Sequence, residues 1–266
     1  MARREIDLTT PQPNGKMGEP TKSAWQKTND NFEDLYSLLG PSAISPNGLM
    51  MSFSGSTITV SEGYAYIPSM EACLVVAQSL SMNLSGMIQN TWYHLYVFDN
   101  SGIAAFEVVT ASPSAPYYGR ARTKIGDPTR RYIGSIRVGA EGVHKFEHHG
   151  NMIQYLEDTR NAPFLVLGGG GATITTTVST AQVVPVTAYA ASLTVLNVAT
   201  NGAYIRLSNS NGPSAQSGYI SLASPGGVTS SVMPLNSSQS YTYAFDNTPA
   251  PAAAGFHRVN GYYFER

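Results

Sequence analysis

The sequence predicts a mainly β protein in which an N-terminal extended arm and a short helix precede two antiparallel β-sandwich-like units. Three observations predict this fold class. Apolar and polar residues alternate with a period of two over most of the chain after residue 46. Clusters of Gly, Asn, Asp and Pro separate these short runs, as expected for turns between strands. Only the segment 22–40 shows apolar spacing that is typical of a helix.

Composition limits the functions that the chain can have. Its 266 residues suffice for one large β domain or two small ones. Charged residues make up 12% and the formal net charge is −1, so bulk attraction to nucleic acid or an anionic membrane is not indicated. No apolar run reaches the ~18 residues of a membrane span, and the first residues lack the apolar region of a secretion signal. We therefore expect a soluble protein that is made in the cytoplasm and inserts into no membrane.

The first element, over residues 1–21, is predicted to be an extended arm. Prolines and glycines are spaced so closely there that neither a helix nor a sheet can propagate. Such an arm is expected to become ordered only against a partner.

The second element is a helix over 22–40 with a coiled-coil-like stripe. Trp25, Phe32 and Leu39 are seven residues apart, Leu35 and Tyr36 add to the apolar face, and a Gly-Pro pair ends the pattern. A helix of this length is marginal in water by itself. We favour self-association of this stripe, and packing of the helix on the β part of its own chain is the alternative.

The third element is a β domain over 41–160. The stretch "STITVSEGYAYIP" predicts two short strands, and "NTWYHLYVFDNSGIAAFEVV" predicts a hairpin with its turn at 99–102. A further hairpin is predicted in "RRYIGSIRVGAEGVHKFEH", with its turn at 139–142. The only cysteine, Cys73, excludes an internal disulfide framework, and its apolar neighbours predict a buried side chain.

The last elements are a Gly-rich linker over 161–172 and a C-terminal β tip over 173–266. Four consecutive glycines at 168–171 are interpreted as a hinge, because they lack the Gly-Lys-Ser/Thr of a phosphate-binding loop. Beyond residue 160 the chain has no lysine, and "SLTVLNV", "AYIRLSN", "GYISLA", "SYTYAF" and "GYYFER" predict short strands. Their regular spacing favours an antiparallel sandwich or jelly-roll-like module.

The sequence offers little catalytic or metal-binding chemistry. Neither H-E-x-x-H nor G-x-S-x-G occurs, and no pair of carboxylates stands out in the tip. His148 and His149 are adjacent on a predicted strand, so they should point to opposite faces and share no metal within one chain. We therefore expect no catalytic residue, no metal and no cofactor. The basic segment 120–137 is interpreted as inter-subunit ion pairs or solvated arginines rather than a phosphate site.

Tyrosine is the remaining candidate for recognition. Its large rigid face and single hydroxyl suit sugar faces and protein epitopes alike. For Tyr241 and Tyr243, which alternation places on one side of a strand, core or subunit packing is the alternative. The candidate receptor-binding residues are Tyr204, Asn209, Asn211, Tyr219, Tyr241 and Tyr243.

The segment "PNGKMGEPTKSAWQKTNDNFEDLYSLLG" resembles the N-terminal segment of bacteriophage tail fibre and tail spike proteins. In that family Pro-Asn-Gly and Gly-Asp/Glu-Pro stretches precede a Lys-x-Asn-x-Asn-Phe-x-x-Leu-Tyr helix. The stretches "TWYHLYVFDNSG" and "RRYIGSIRV" resemble the β domain that often follows, so the resemblance covers roughly residues 10–150. The positions that would anchor the chain to the virion are Pro13, Asn14, Gly15, Gly18 and Pro20.

The resemblance implies a homotrimer in the virion tail. The arm would dock onto tail-tip or baseplate proteins, and the helix would bring three chains into register. The tip would then attach the particle to a bacterial surface receptor, which could be a glycan, a pilus or an outer-membrane protein. Two alternatives remain open: a structural connector or baseplate component without receptor contact, and a polysaccharide-degrading tail spike, which the missing carboxylate cluster disfavours.

Overall fold

The computed structural model describes residues 5–38, 46–209 and 218–266. The chain divides into two compact units, Met1–Ser45 and Pro46–Arg266. The second unit is mainly β, as the alternation of the sequence predicts.

The first unit contains one helix in its described residues, α1 (Thr21–Leu38), close to the predicted 22–40. Residues 39 and 40 of that prediction lie outside the described residues. The segment before α1 is closed into a loop rather than extended. The Asp7 amide donates to Glu19 Oε1 at 2.9 Å, and the Gly18 amide donates to the Thr10 carbonyl at 2.8 Å. Glu19 also accepts from Ser23 Oγ and pairs with Lys27 Nζ, which ties the loop to the first turns of α1.

The strands of the second unit's described residues are short and closely spaced. The first thirteen are β1 (Asn47–Gly48), β2 (Met51–Ser54), β3 (Thr57–Val60), β4 (Gly63–Ile67), β5 (Ala72–Val76), β6 (Leu80–Asn83), β7 (Thr91–Asn100), β8 (Ile103–Val109), β9 (Thr123–Lys124), β10 (Asp127–Gly139), β11 (Gly142–Val143), β12 (Phe146–His149) and β13 (Met152–Tyr155). The last eight are β14 (Leu165–Gly170), β15 (Thr176–Ser179), β16 (Ala188–Asn197), β17 (Ile205–Asn209), β18 (Ser221–Ala223), β19 (Val228–Pro234), β20 (Ser240–Phe245) and β21 (Gly255–Phe264).

These strands form five sheets in the described part of the chain, and their pairings are antiparallel. Two small sheets have the orders β1-β4-β5 and β2-β3-β6. A third has the order β11-β10-β7-β8, with β9 added beside β10. A six-stranded sheet runs β12-β13-β21-β16-β19, with β14 also paired to β21, and a four-stranded sheet runs β15-β20-β17-β18. Both predicted hairpins are present as β7–β8 and β10–β11.

Strand β21 joins the two regions that the sequence suggests are separate. Its C-terminal half pairs with β13, its N-terminal half pairs with β14, and its other edge pairs with β16. The predicted first β domain and the predicted tip therefore contribute strands to one sheet. The strands and their antiparallel order agree with the sequence, but the boundary at 161–172 does not separate two units here.

Three of the four glycines, at 168–170, belong to strand β14, which corrects the interpretation of the run as a hinge. Gly168 and Gly170 pair with Phe256 and Gly255 across β14 and β21. A Cβ on Gly171 would lie 1.8 Å from the Ala252 carbonyl oxygen. Glycine is needed here because two backbones approach closely, and not because the chain must bend freely.

A single hydrophobic core runs through the second unit, from Leu49 to Phe264. Tyr262 donates its hydroxyl to the Ser135 carbonyl at 3.1 Å, and the rings of Tyr132 and Phe264 meet edge to face. At the other end of β21, Ile205 lies within 3.3 Å of a Cβ built on Gly255. One face of the six-stranded sheet therefore packs against both β10 and β17.

Arg266 connects the last strand of the second unit to its first residues. Arg266 is buried and donates to the carbonyls of Pro46 at 3.2 Å and Gly48 at 3.1 Å. Burial lowers the pKa of this guanidinium to about 10. The C-terminus of the chain is thus fixed to the first strand of the unit.

Cys73 is exposed, which corrects the prediction that it is buried. It lies on β5, whose Leu74 and Val76 point into the core. Because neighbouring residues of a strand face opposite sides, Cys73 points outward. Hydrophobic neighbours in sequence did not reveal which face of this strand is the inner one.

Candidate functional site

The predicted oligomerisation stripe has two apolar side chains that are exposed within the described residues. Trp25 is 65% exposed and Phe32 is 52% exposed. They lie seven residues apart, so they occupy nearly the same side of α1. The structure says nothing of the side chains of Leu35 and Tyr36, and Leu39 lies outside the described residues. What the structure gives is therefore an exposed apolar pair near the middle of a single helix.

The predicted virion-anchoring residues lie on the loop before α1. Gly15 and Gly18 have φ angles of 78° and 83°, a left-handed conformation that favours glycine. The Lys16 amide donates to Asn14 Oδ1 at 3.0 Å, so Asn14 supports the turn that Pro13 and Gly15 share. A side chain on Gly18 would collide with the Asp7 carbonyl oxygen, 2.8 Å away. These residues shape a compact loop, and what the loop binds stays a prediction.

Two of the predicted receptor-binding tyrosines are on the surface. Tyr204 is 37% exposed and Tyr219 is 52% exposed, and Ile220 beside Tyr219 is exposed as well. Asn209, at the end of β17, is half-buried. Asn211 lies outside the described residues.

Arg206 and Asp246 connect the surroundings of these two tyrosines. The Arg206 guanidinium lies 5.7 Å from the centre of the Tyr219 ring and 3.7 Å, Nη2 to Oδ2, from Asp246. Asp246 Oδ1 accepts a hydrogen bond from the Tyr204 amide at 2.8 Å. The two charges compensate one another, so the surface carries aromatic area with little net charge. We call Tyr204, Arg206, Tyr219, Ile220 and Asp246 the tyrosine patch.

Tyr241 and Tyr243 are core residues, which corrects their prediction as receptor contacts. Tyr241 is fully buried and its hydroxyl lies 2.7 Å from His257 Nδ1. The Tyr243 ring meets the His257 ring edge to face. Burial raises the pKa of Tyr241 and lowers the pKa of His257 to about 3, so both are uncharged near neutral pH. The alternative of core packing is the correct interpretation for this pair.

The arginines of 120–137 mostly serve the interior of the same chain. Arg131 is fully buried and donates through Nη1 to the carbonyls of Arg122 and Tyr132, both at 2.9 Å. Arg122 pairs with Glu265 at 2.8 Å. Arg130 lies over the Phe98 ring at 3.7 Å. The expectation of inter-subunit or solvated arginines is therefore wrong for these three. For Arg131, the one local signal in the sequence is its position directly before Tyr132, whose ring is buried on β10.

The two adjacent histidines point in opposite directions, as predicted. His148 is buried and its Nδ1 accepts from the Met51 amide at 2.9 Å, whereas His149 is exposed. Burial lowers the pKa of His148 to about 3. In the part of the chain that the structure describes, no group of three His, Cys, Asp or Glu side chains is placed to hold a metal ion.

Comparison with known proteins adds no relative: no protein-family model matches the chain, and no curated protein matches it. Among the residues with a described structure, no helix is both long enough and apolar enough to cross a membrane.

Proposed function

We propose that the chain is a tail fibre or receptor-binding protein of a bacteriophage, a homotrimer that attaches the virion to its bacterial host. The ordered resemblance of its arm, helix and following β segment to that family is the basis of the proposal. The observation that carries it is the exposed pair Trp25 and Phe32 on α1. Apolar side chains spaced by seven residues on one helix are covered efficiently by the same helix of neighbouring copies.

In this proposal the loop before α1 docks on tail-tip or baseplate proteins, and the β unit faces the host. Three copies in each fibre and several fibres on each tail convert weak contacts into avidity gains of about 10²–10⁴. The tyrosine patch supplies the receptor contact through aromatic area and hydroxyl groups. Because Arg206 and Asp246 compensate each other, binding through this patch should change little with salt.

The test uses the full chain. Residues 161–266 alone would lack β12 and β13, which share a sheet with β21, so the isolated tip is not a sound reagent. Light scattering should give the mass of three chains. Fluorescently labelled trimer should then decorate cells of some strain in a panel of bacteria with different surface glycans and pili, and block adsorption of a phage carrying this protein.

The residues of the patch are tested by a double variant, Tyr204→Ala with Tyr219→Ala. We expect it to lose most cell binding while keeping its mass and folding. The matched control is Tyr118→Ala, because Tyr118 is similarly exposed but lies outside the patch. A monomer in dilute buffer would overturn the proposal. Equal cell binding by both variants would remove the patch from it.

One observation favours the connector as a second candidate. The C-terminal strand is tied back to the first residues of the β unit through Arg266, instead of forming a separate distal module. A trimer that binds its tail partner but decorates none of the strains would support this role.

A further inference from the structure

A cavity opens at one end of the five-stranded sheet, away from the tyrosine patch residues. Its volume is about 520 Å³, within the range of roughly 300–1,000 Å³ typical of ligand pockets. Four segments form its walls: the β10–β11 hairpin, the loop 157–164, and the two segments that carry Asn90 and Gln182.

The walls are held in place by bonds between these segments. Gln89 donates its side-chain amide to the Ala140 carbonyl at 3.0 Å, and Trp92 Nε1 donates to the Ala181 carbonyl at 3.1 Å. His144 is wedged between Gly139 and Phe164: its ring centre lies 4.8 Å from that of Phe164, and a Cβ on Gly139 would be 2.5 Å from His144 Cε1. The cavity is thus built from fixed parts.

Several polar groups of the cavity have no partner among the described residues. The Arg137 guanidinium makes no hydrogen bond or ion pair there, although it lies 5.7 Å from the centre of the Trp92 ring. Partial burial lowers the pKa of this guanidinium from its ordinary value, because desolvation disfavours the charged form. The side-chain amides of Asn90 and Gln182 are likewise unpaired within the described residues. A guanidinium and two amides together offer many donors and two acceptors.

The charges of the cavity restrict the ligand. Glu141, Glu157 and Asp158 line it against the single cation Arg137. Both oxygens of Asp158 are bound by Arg160 at 2.8 Å, and Glu157 Oε1 accepts from the Lys145 amide at 2.7 Å. An excess of carboxylates disfavours phosphate, sulfate and uronate ligands. No trio of side chains is placed for a metal among the described residues, and Phe164 is too deeply buried to stack on a base.

We propose that this cavity binds a neutral saccharide segment. Hydroxyl groups both donate and accept, so a polyol can satisfy the unpaired Arg137, Asn90 and Gln182 as donors and the free lone pairs of Glu157 as acceptors. Val143 and Pro163, which are both half-buried, form the apolar surface against which the C–H faces of a sugar ring lie. The proposal deepens the proposed function and rests on it only for the source of the saccharide, which is then the bacterial surface.

The experiment applies the full chain to an array of neutral, amino-bearing, uronate and phosphorylated oligosaccharides, followed by calorimetry with the strongest ligand. We expect neutral oligosaccharides to bind. Arg137→Gln should weaken this binding about tenfold or more, since hydrogen bonds from a charged donor are lost. Gln182→Ala, in an exposed loop where folding is not at stake, should also weaken it. Ala140→Trp should block the cavity without removing any of its polar groups.

The matched control is Arg130→Gln. Arg130 lies on the same strand β10 and also stacks on an aromatic ring, but it does not line the cavity. The Arg130→Gln variant should bind saccharides with unchanged affinity.

Three outcomes would overturn the proposal: binding of anionic oligosaccharides only, no binding at all, or equal affinities for Arg137→Gln and Arg130→Gln. Saccharide binding without adsorption to any cell would keep the cavity and reject the receptor role. If the Arg137→Gln and Ala140→Trp variants still adsorb to cells but bind no saccharide, the receptor role of the chain is kept and the cavity is rejected as its site.

Discussion

The helical unit and the β unit bury their apolar residues in different ways. In the β unit, aromatic side chains such as Tyr132, Tyr262 and Phe264 are almost completely buried within one chain. In the helical unit, Trp25 and Phe32 remain largely exposed in one chain. The β unit therefore contains the contacts needed for its own stability. A helix of this length is marginal by itself, and in the proposed trimer neighbouring copies of α1 cover these two side chains.

The largest expected effect is in the β unit, at the ring that joins its two halves. Tyr262→Ala removes edge-to-face contacts with Trp92 and Phe264 and the hydrogen bond to the Ser135 carbonyl. We expect the free energy of unfolding to fall by about 3–5 kcal/mol, measured by urea denaturation. Tyr263→Ala is the control, because this neighbouring ring is only half-buried on the other face and should cost much less. Two separate unfolding transitions for the β unit would contradict its description as one core.

The next effect concerns the C-terminal closure. Arg266→Ala leaves the buried carbonyls of Pro46 and Leu49 without donors. Buried groups that lose a partner typically cost about 1–3 kcal/mol each, so we expect a loss of about 2–3 kcal/mol in thermal or urea unfolding. Arg266→Lys should be intermediate, since an ammonium lacks the planar fork of a guanidinium.

Arg160→Ala serves as the control for this closure, because its ion pair with Asp158 is on the surface and such pairs contribute little. If Arg266→Ala and Arg160→Ala had the same effect, the closure would not contribute to stability.

Acid should destabilise the β unit through His257. Burial lowers the pKa of this side chain to about 3, against about 6.5 when unfolded. Above pH 6.5 the ring is neutral in both states, and stability does not depend on it. As pH falls below 6.5 only the unfolded state takes up the proton, so this group alone removes about 2 kcal/mol between pH 6.5 and 5.

The measurement is the pH dependence of urea unfolding for His257→Gln. Glutamine does not titrate, so proton uptake on unfolding should decrease by about half a proton at pH 6.5 and by about one at pH 5. The control is Asn260→Gln on the same strand β21, which removes no titratable group and should leave the profile unchanged. An unaltered acid profile in His257→Gln would show that the ring takes up its proton at the same pH in the folded and unfolded states.

Local patterns predicted the local elements of this fold. The hairpin β7–β8 follows from its turn, where the Gly102 amide donates to Asp99 Oδ1 at 2.9 Å and Ser101 and Gly102 adopt positive φ. Helix α1 follows from its apolar spacing. The pairing of β13 with β21 joins residues more than a hundred positions apart, and no local pattern specifies such a partner.

The same limit applies to the candidate site, of which local patterns predict only a part. Alternation shows which side chains share a face of a strand, but not which face is buried. Strand β20 is buried on both faces, so Tyr241 and Tyr243 could not be assigned to the core from their spacing. Tyr204 and Tyr219 are the two predicted receptor-binding tyrosines that the structure leaves exposed. The cavity beside Arg137 combines four separate segments and leaves no motif in the sequence.

A substitution in the helix should have the smallest effect on the β unit. It also tests most directly how the helical unit and the β unit differ. Phe32→Asp places a charge on the exposed stripe. The thermal unfolding of the β unit should change by no more than about 0.5 kcal/mol, as for other surface substitutions. The oligomer should be strongly weakened, because a carboxylate in an apolar seam between helices lacks a partner. Light scattering over a dilution series measures this loss. Gln26→Glu is the control: it adds the same charge at an exposed polar position that is turned about 100° from Trp25 around α1, and it should keep the mass of the unmodified chain. An oligomer that survives Phe32→Asp would mean that copies associate through the β unit, and the two units would then no longer differ in what they need from a neighbour.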